Sequence, residues 1–451
     1  MIKTRFGQGA WIVAAATIIA SAPALAQAPA PAAAPDSTTS TAAPVPAADA
    51  PPPGYWINGI RLSAQLDAGV MFNPFRPNTG LNWGQLFTDH ANQVQMNQLL
   101  LTASKPLDPK DSNFQWGFKF QFMYGSDARY TQFLGELNRA IPGARYQMDI
   151  VEANVLFHLP VLTEGGIDLK AGQYSTPIGF ETIDPSTNYF YSHSYIFQFG
   201  LPFKHTGALT TTHVNDWLDI YAGIDTGTNT TMGILGDNNG AVGGIGGFNL
   251  TLMGGNLTIL ALTHVGPEYP TRILSPLGIN GNGQWRSFSD IVINYKISDY
   301  WSSTTEFNWV RDAYGYANRP VNGFGVAQYF SYQATATIAL NARVELWRDD
   351  NNFFVASYSG NNDPIRVQQG LSPQSGVYVA PGGGGTTYGA LTLGATWKPE
   401  MPAAVTGLAI RPEVRWDHAF TSNNPFNQNP PAYTKGTSNS FTFGADVVLT
   451  F

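Results

Sequence analysis

The chain has 451 residues, of which only 12% are charged, against about a quarter in ordinary globular domains. Aromatic residues reach 13% and Gly (47) and Pro (31) are plentiful, while a mean hydropathy of -0.12 excludes a bundle of long apolar helices. A net charge of -7 argues against nucleic acid as a partner, and the absence of Cys excludes disulfide scaffolds, thiolate metal sites and Cys nucleophiles.

In chain order, Lys3 and Arg5 precede an apolar run from Trp11 through Ala20, followed by the A-x-A pattern Ala24-Leu25-Ala26. The run is shorter than the ~20 residues of a spanning helix, so residues 1–26 read as an export signal. Residues 27–53 are almost entirely Ala, Pro, Ser, Thr and Asp. Such a stretch buries too little apolar surface to offset its ordering, which predicts a disordered or semi-extended linker. A plain tether is expected, with a specific cell-wall contact as the alternative.

From residue 54 to residue 451 the hydrophobic period is two. In Ile60–Val70 the even positions are apolar and the odd ones polar or Gly. Trp116, Phe118, Phe120, Phe122 and Tyr124 repeat the pattern, as do Ile291, Ile293, Tyr295 and Ile297, then Leu408, Ile410, Val414 and Trp416. Phe441, Phe443, Ala445, Val447, Leu449 and Phe451 close the chain in the same way. A soluble sandwich also alternates. Here the runs are about ten residues long, enough to cross a bilayer at a tilt, and the second face is charged and Gly-rich, as a wet interior would be. Backbone groups in hydrocarbon must all be paired, so strands cross only as a closed barrel. The expected fold is therefore an all-β, antiparallel transmembrane barrel of about 16 strands.

Strand starts are expected near residues 57, 93, 114, 146, 166, 203, 216, 242, 256, 286, 300, 326, 341, 387, 406 and 439. Short connections are read at Gly254-Gly255-Asn256, Ser298-Asp299 and Leu340-Asn341; long ones surround Asn78, Ala128, Asp184, Asn229, Gly281, Asn318, Gly370 and Asn427. Short periplasmic turns and long outer loops are the outer-membrane pattern, and an even strand count puts both ends in the periplasm. Trp56, Trp116, Trp217, Trp301 and Trp397 fall near one set of strand ends, and Trp285, Trp309, Trp347 and Trp416 near the other, as two aromatic girdles would place them. Phe451, ending an alternating strand, reads as the signal for the barrel-assembly machinery.

Several pieces then occur in order. Tyr124-Gly125-Ser126-Asp127-Ala128-Arg129 is followed by Ala171-Gly172-Gln173-Tyr174-Ser175-Thr176-Pro177-Ile178-Gly179-Phe180-Glu181. Next come Asn188-Tyr189-Phe190-Tyr191-Ser192-His193-Ser194-Tyr195, Leu201-Pro202-Phe203-Lys204-His205-Thr206-Gly207 and Val344-Glu345-Leu346-Trp347-Arg348-Asp349-Asp350. The ordered set resembles the putative beta-barrel porin-2 family of bacterial outer-membrane proteins. The resemblance implies a channel without naming its solute; it also makes a homotrimer an expected assembly, alongside outer-membrane lipid and small solutes or ions as partners.

In porins of similar strand number the third outer loop folds into the lumen. Here residues 175–203 hold Glu181 and Asp184 among Phe180, Tyr189, Phe190, Tyr191, Tyr195 and Phe197, so many aromatics that the loop is expected to pack against something. Lumen positions carry Arg61, Lys119, Lys170, Arg343, Arg411 and Arg415. Opposed to an acidic inward loop they would set up a transverse field; the plainer reading pairs them with Asp67, Asp149, Asp168, Glu345 and Glu413. Nearly balanced signs argue against strong phosphate selectivity.

No catalytic or metal motif is present: His90, His158, His193, His205, His213, His264 and His418 are scattered, and no G-x-S-x-G, Walker or H-E-x-x-H spacing occurs. Gly236-Asp237-Asn238-Asn239-Gly240 and Gly382 to Gly385 read as loops. No enzyme activity, metal or cofactor is expected. The sequence therefore points to an exported barrel that passes small hydrophilic solutes or ions passively. The alternatives are a solute-specific channel with an aromatic slide for sugars and a plugged barrel with a structural or adhesive role.

Overall fold

The computed structural model describes residues 55–451, except 109–111, 142, 233–238, 316–318, 361–362, 369–370, 372–375, 382–383, 403–404 and 429–435. The expected export signal and linker, the Gly236–Gly240 loop for the most part, and Gly382 and Gly383 lie outside the described residues. No helix among those described is long and apolar enough to cross a membrane, and the work of crossing falls to strands.

The alternating segments form β1 (Tyr55–Ile57), β2 (Ile60–Phe72), β3 (Val94–Lys105), β4 (Gln115–Gly125), β5 (Gln147–Leu159), β6 (Ile167–Ser175) and β7 (Lys204–Asn215). They continue through β8 (Leu218–Thr228), β9 (Gly243–Leu252), β10 (Leu257–Pro267), β11 (Trp285–Lys296), β12 (Trp301–Asp312), β13 (Val321–Gln333) and β14 (Ile338–Asp349). The last are β15 (Ala356–Tyr358), β16 (Val377–Val379), β17 (Thr386–Trp397), β18 (Gly407–Ala419) and β19 (Asn439–Thr450). All but β1, β15 and β16 join a closed antiparallel barrel of 16 strands, each paired with its neighbour in sequence order. The seam is β19 on β2, with Phe443 opposite Phe72 and Thr450 opposite Gln65. β1 and β15–β16 are accessory: β1 folds back on β2, where Trp56 meets Arg61, and carries that edge past the chain's end.

Alternation sorts the two faces. In β14, Leu340, Val344 and Leu346 are exposed while Arg343, Glu345 and Trp347 are buried. Phe307, Trp309, Phe324, Phe330, Leu391, Leu393, Val414, Trp416, Phe441, Phe443 and Val447 continue the exposed apolar belt on neighbouring strands. A belt of that composition is stable only against hydrocarbon.

The strand starts follow the sequence reading closely, with two corrections. Leu340-Asn341 is not a turn: both residues lie inside β14, and the chain reverses just before it, where Ala334 N and Thr335 N donate to Ile338 O. Asn and the short Ala–Thr run carry opposite turn signals from those they enact here. Trp347 does not belong to the interfacial aromatics. It shares the inward register of Arg343 and Glu345 and is fully buried, over Gly200, Gly323 and Gly325, where a Cβ would come within 2.6–2.8 Å of the indole ring.

One barrel rim carries short turns and the other long loops. The long loops include 73–93, 126–146 with α1 (Ala128–Thr131), 176–203, 268–284 with α2 (Thr271–Leu274) and 350–385 with α3 (Asp363–Gln368). The loop 73–93 turns inward, burying Trp83, Leu86 and Phe87. Its Asp89 accepts two bonds from Arg129 at 2.9 and 3.0 Å and one from the Tyr130 hydroxyl at 2.6 Å. Burial alone would raise the Asp89 carboxyl; the Arg129 guanidinium outweighs it and holds the group far below the usual carboxylate range.

Candidate functional site, a strap across the lumen

The loop between β6 and β7 does not stay at the rim. From Phe190 to Phe203 every residue is buried, and the polar backbone that this burial would strand is satisfied by side chains of the opposite wall. Glu413 of β18 accepts from Tyr191 N at 2.9 Å and Ser192 N at 3.1 Å. Glu345 of β14 accepts from Tyr195 N at 2.7 Å, and Asp417 from the Tyr195 hydroxyl at 3.0 Å. In the other direction, Arg411 donates to Pro185 O and Asn188 O, Arg343 to Ser192 O, and Arg415 to His193 O, at 2.6–2.9 Å. The loop is a strap, anchored at β6 and β7 and tied down on β14 and β18.

Aromatic rings complete the packing. Phe87 of the first long loop lies within 4.8–5.6 Å of the His193, Phe197 and Phe203 rings. The Arg343 and Arg415 guanidinium groups sit over Phe190 and Tyr195. A single π-turn at Ile196–Gly200 turns the chain back toward β7. Space for the strap is built into β2, where Gly69 faces Tyr191; a Cβ there would lie 2.6 Å from the ring.

The residues singled out from sequence take these positions. Glu181 meets Arg343 at 2.8 Å, with His193 Nδ1 at 2.7 Å. Burial pushes the Glu181 carboxyl up, but Arg343, His193 and the Ser194 N–H together bring it down to about 2. Asp184 accepts from Gln65 Nε2 at 2.9 Å and is the acidic neighbour of Arg61. Arg411 pairs with Asp446, and Arg415 with Asp417 and Glu345. Asp67 is buried beside them on β2. Lys119 contacts Glu152 at 3.4 Å and stays partly open to water; Lys170 lies over the Tyr174 ring. Arg343, Arg411 and Arg415 are thus buried on strap carbonyls and wall carboxylates. The exposed edge of the strap is Thr182, Ser186 and Thr187, next to a cavity of about 200 Å³ that reaches Gln333, Lys398 and Arg411 at the short-turn end.

Trp217, Trp301, Trp309, Trp397 and Trp416 are exposed on the outer face, Trp56 is half-buried, and Phe451 is exposed where the seam ends. Sequence reasoning passed over Asp417 and Asp446 as site residues, although each shares the inward register of an arginine partner. It also passed over the loop 73–93, whose Trp83, Leu86 and Phe87 were a usable sign of inward packing.

A barrel whose third long loop crosses the lumen is the geometry of a channel with an internal constriction. Residues 59–451 match the family model described as putative beta-barrel porin-2, OmpL-like. The chain belongs to that family. No curated protein sequence matches this porin. Among solved structures it is similar to OmpF of Salmonella typhi, in complex with daunomycin, with 8% identity over 87% of this chain and 97% of that one and a TM-score of 0.52. The anion-selective porin from Comamonas acidovorans is 9% identical over 87% of this chain and 99% of that one, with a TM-score of 0.50. The outer membrane channel DcaP of Acinetobacter baumannii is 11% identical over 88% and 99%, with a TM-score of 0.49. The first two share the barrel fold. Family and fold place the porin in the outer membrane as a passive channel, in which a solute moves down its own gradient.

Proposed function

We propose that this porin is a narrow, low-conductance channel for small hydrophilic solutes or ions, sieved by the strap at residues 176–203. The observation that carries this reading is the set of bonds from β14 and β18 to the strap backbone: a loop rooted at β6 and β7 and bonded to the opposite wall narrows the lumen instead of fluttering at its mouth. The residues assigned to the pore lining or its constriction are Arg61, Asp67, Lys119, Lys170, Glu181, Asp184, Arg343, Glu345, Arg411, Glu413 and Arg415. Arg343, Arg411 and Arg415 act by holding the strap, while Arg61, Asp184, Lys119 and Lys170 face the passing solute. With both signs represented, ion preference is weak.

The reading includes an export signal at 1–26, a tether at 27–53, short turns and both chain ends in the periplasm, and Gram-negative envelope assembly through the Phe451 strand. Trp56, Trp217, Trp301, Trp309, Trp397 and Trp416 sit at the two interfaces. A homotrimer is the expected assembly, and no catalytic chemistry is assigned. Single-channel recording of the refolded protein in a planar bilayer under a salt gradient tests the core of it. Small, discrete steps that scale with salt, with a reversal potential near zero, are expected. Silence from a correctly inserted barrel would replace the channel with a plugged, structural role.

A further inference from the structure

Away from the strap's docking wall, three side chains from three strands converge. His205 of β7 places Nδ1 2.8 Å from Asp225 Oδ2 of β8, and His264 of β10 places Nε2 3.0 Å from Asp225 Oδ1. All three side chains are completely buried. We propose that His205, Asp225 and His264 form a binding site for a divalent transition metal, zinc by preference, that staples the long-loop ends of β7, β8 and β10 together.

The donor set and its spacing support this. Two imidazoles and a carboxylate suit zinc, with a fourth position for water or another oxygen. The three donor atoms lie within 4.8 Å of one another, and a tetrahedral zinc with bonds of about 2.0–2.1 Å needs them roughly 3.3 Å apart. The two imidazole centroids stand 5.1 Å apart at 45°, close to the ~5 Å that two imidazoles on one tetrahedral ion would show.

The surroundings are built to allow the convergence. β9 runs between β8 and β10, and His264 can reach Asp225 only because β9 presents Gly243 there. A Cβ at Gly243 would lie 2.6 Å from Asp225 Oδ1 and 2.7 Å from His264 Nε2. His205 Nε2 is 3.0 Å from Thr176 Oγ1, at the root of the strap; such an outer contact on the second ring nitrogen fixes the tautomer of a ligating histidine. The buried charge nearby is acidic in excess, with Asp225, Glu268 and Asp312 against the Arg286 guanidinium, which is itself bound to Asp312. A divalent cation held by the two imidazoles and Asp225 would offset that excess.

A site this enclosed takes its metal as the barrel folds. The test is therefore to refold untagged protein into detergent with and without zinc, remove free metal by gel filtration, and measure retained metal by mass spectrometry. About one zinc per chain is expected in the folded protein. His264→Gln and Asp225→Asn should each retain less than about a tenth of that, while the double variant His158→Gln/His213→Gln should retain all of it. That control removes the partly exposed histidines around Asp168, where His158 lies at 2.7 Å and His213 at 3.3 Å. Should the site variants fail to fold, cobalt in the unaltered protein decides: a four-coordinate visible absorption band supports the site. A folded, unaltered protein that retains no zinc and shows no cobalt band overturns the proposal, as does equal retention in folded His264→Gln and Asp225→Asn.

Discussion

The strap is held by identifiable bonds, so its hold can be weakened by a calculable amount. Glu413→Ala removes the acceptor of two buried N–H groups, those of Tyr191 and Ser192. An unpaired buried donor costs about 1–3 kcal/mol, so the docked strap should lose about 2–6 kcal/mol. Even about 2 kcal/mol shifts a docked-to-undocked ratio about 30-fold. The barrel itself persists, because the β18 ladders to β17 and β19 run through the backbone. Single-channel records of Glu413→Ala should therefore show new, larger conductance states and noisier open levels in a protein that still migrates as a folded barrel. Glu413→Gln is the control. One oxygen, Oε2, accepts both bonds, and an amide oxygen can replace it, so the larger states should be rare. Adding Glu345→Ala, which also frees Tyr195 N, should enlarge the effect further. Records of Glu413→Ala and of the double variant indistinguishable from the unaltered channel would refute the idea that these carboxylates hold the strap.

Gly69→Ala drives a methyl group into the Tyr191 ring and the Ala445 carbonyl; it should cost about 1–3 kcal/mol in a denaturant titration and alter conductance, since overpacking there moves the strap. Val344→Arg puts a charge on the exposed apolar belt midway along β14, and should cost about 2–4 kcal/mol in lipid-bilayer folding titrations without changing the conductance of the molecules that insert. For pH, Glu181 is held at about 2, below its ordinary 4.5. Its contribution is then fully present above about 4.5 and lost as pH falls through about 2. Conductance should stay level from neutral pH to about 4.5 as far as Glu181 is concerned, with strap loosening only near the acid end; Glu181→Gln should abolish that acid transition.

The barrel was legible because a two-residue period is a local property. Runs such as Trp116–Tyr124 and Phe441–Phe451 declare their outer face without knowledge of their neighbours, and inward parity alone put Arg343, Arg411 and Arg415 in the lumen. The same parity would have turned Trp347 inward, had it been given more weight than the preference of indole for interfaces. What was not legible depends on closure. Glu413 can reach Tyr191 only once the strap has crossed to a wall far away in sequence. His205, Asp225 and His264 lie on strands whose register no short spacing encodes, and Gly243 acquires its meaning only from what stands on either side of it. The reversal before β14 was misplaced because Asn341, a frequent turn residue, sits in mid-strand with its side chain bonded to Thr396.

The seam between β19 and β2 imposes an order on assembly. Every other neighbouring pair in the barrel can zip as soon as its two strands exist, but β2 must wait for the last residues of the chain to find its second partner. The strap's anchors on β14 and β18 likewise arrive long after β6 and β7. Until β19 pairs with β2 the sheet stays open, and that last ladder closes the exterior around the strap and the wall it is bonded to.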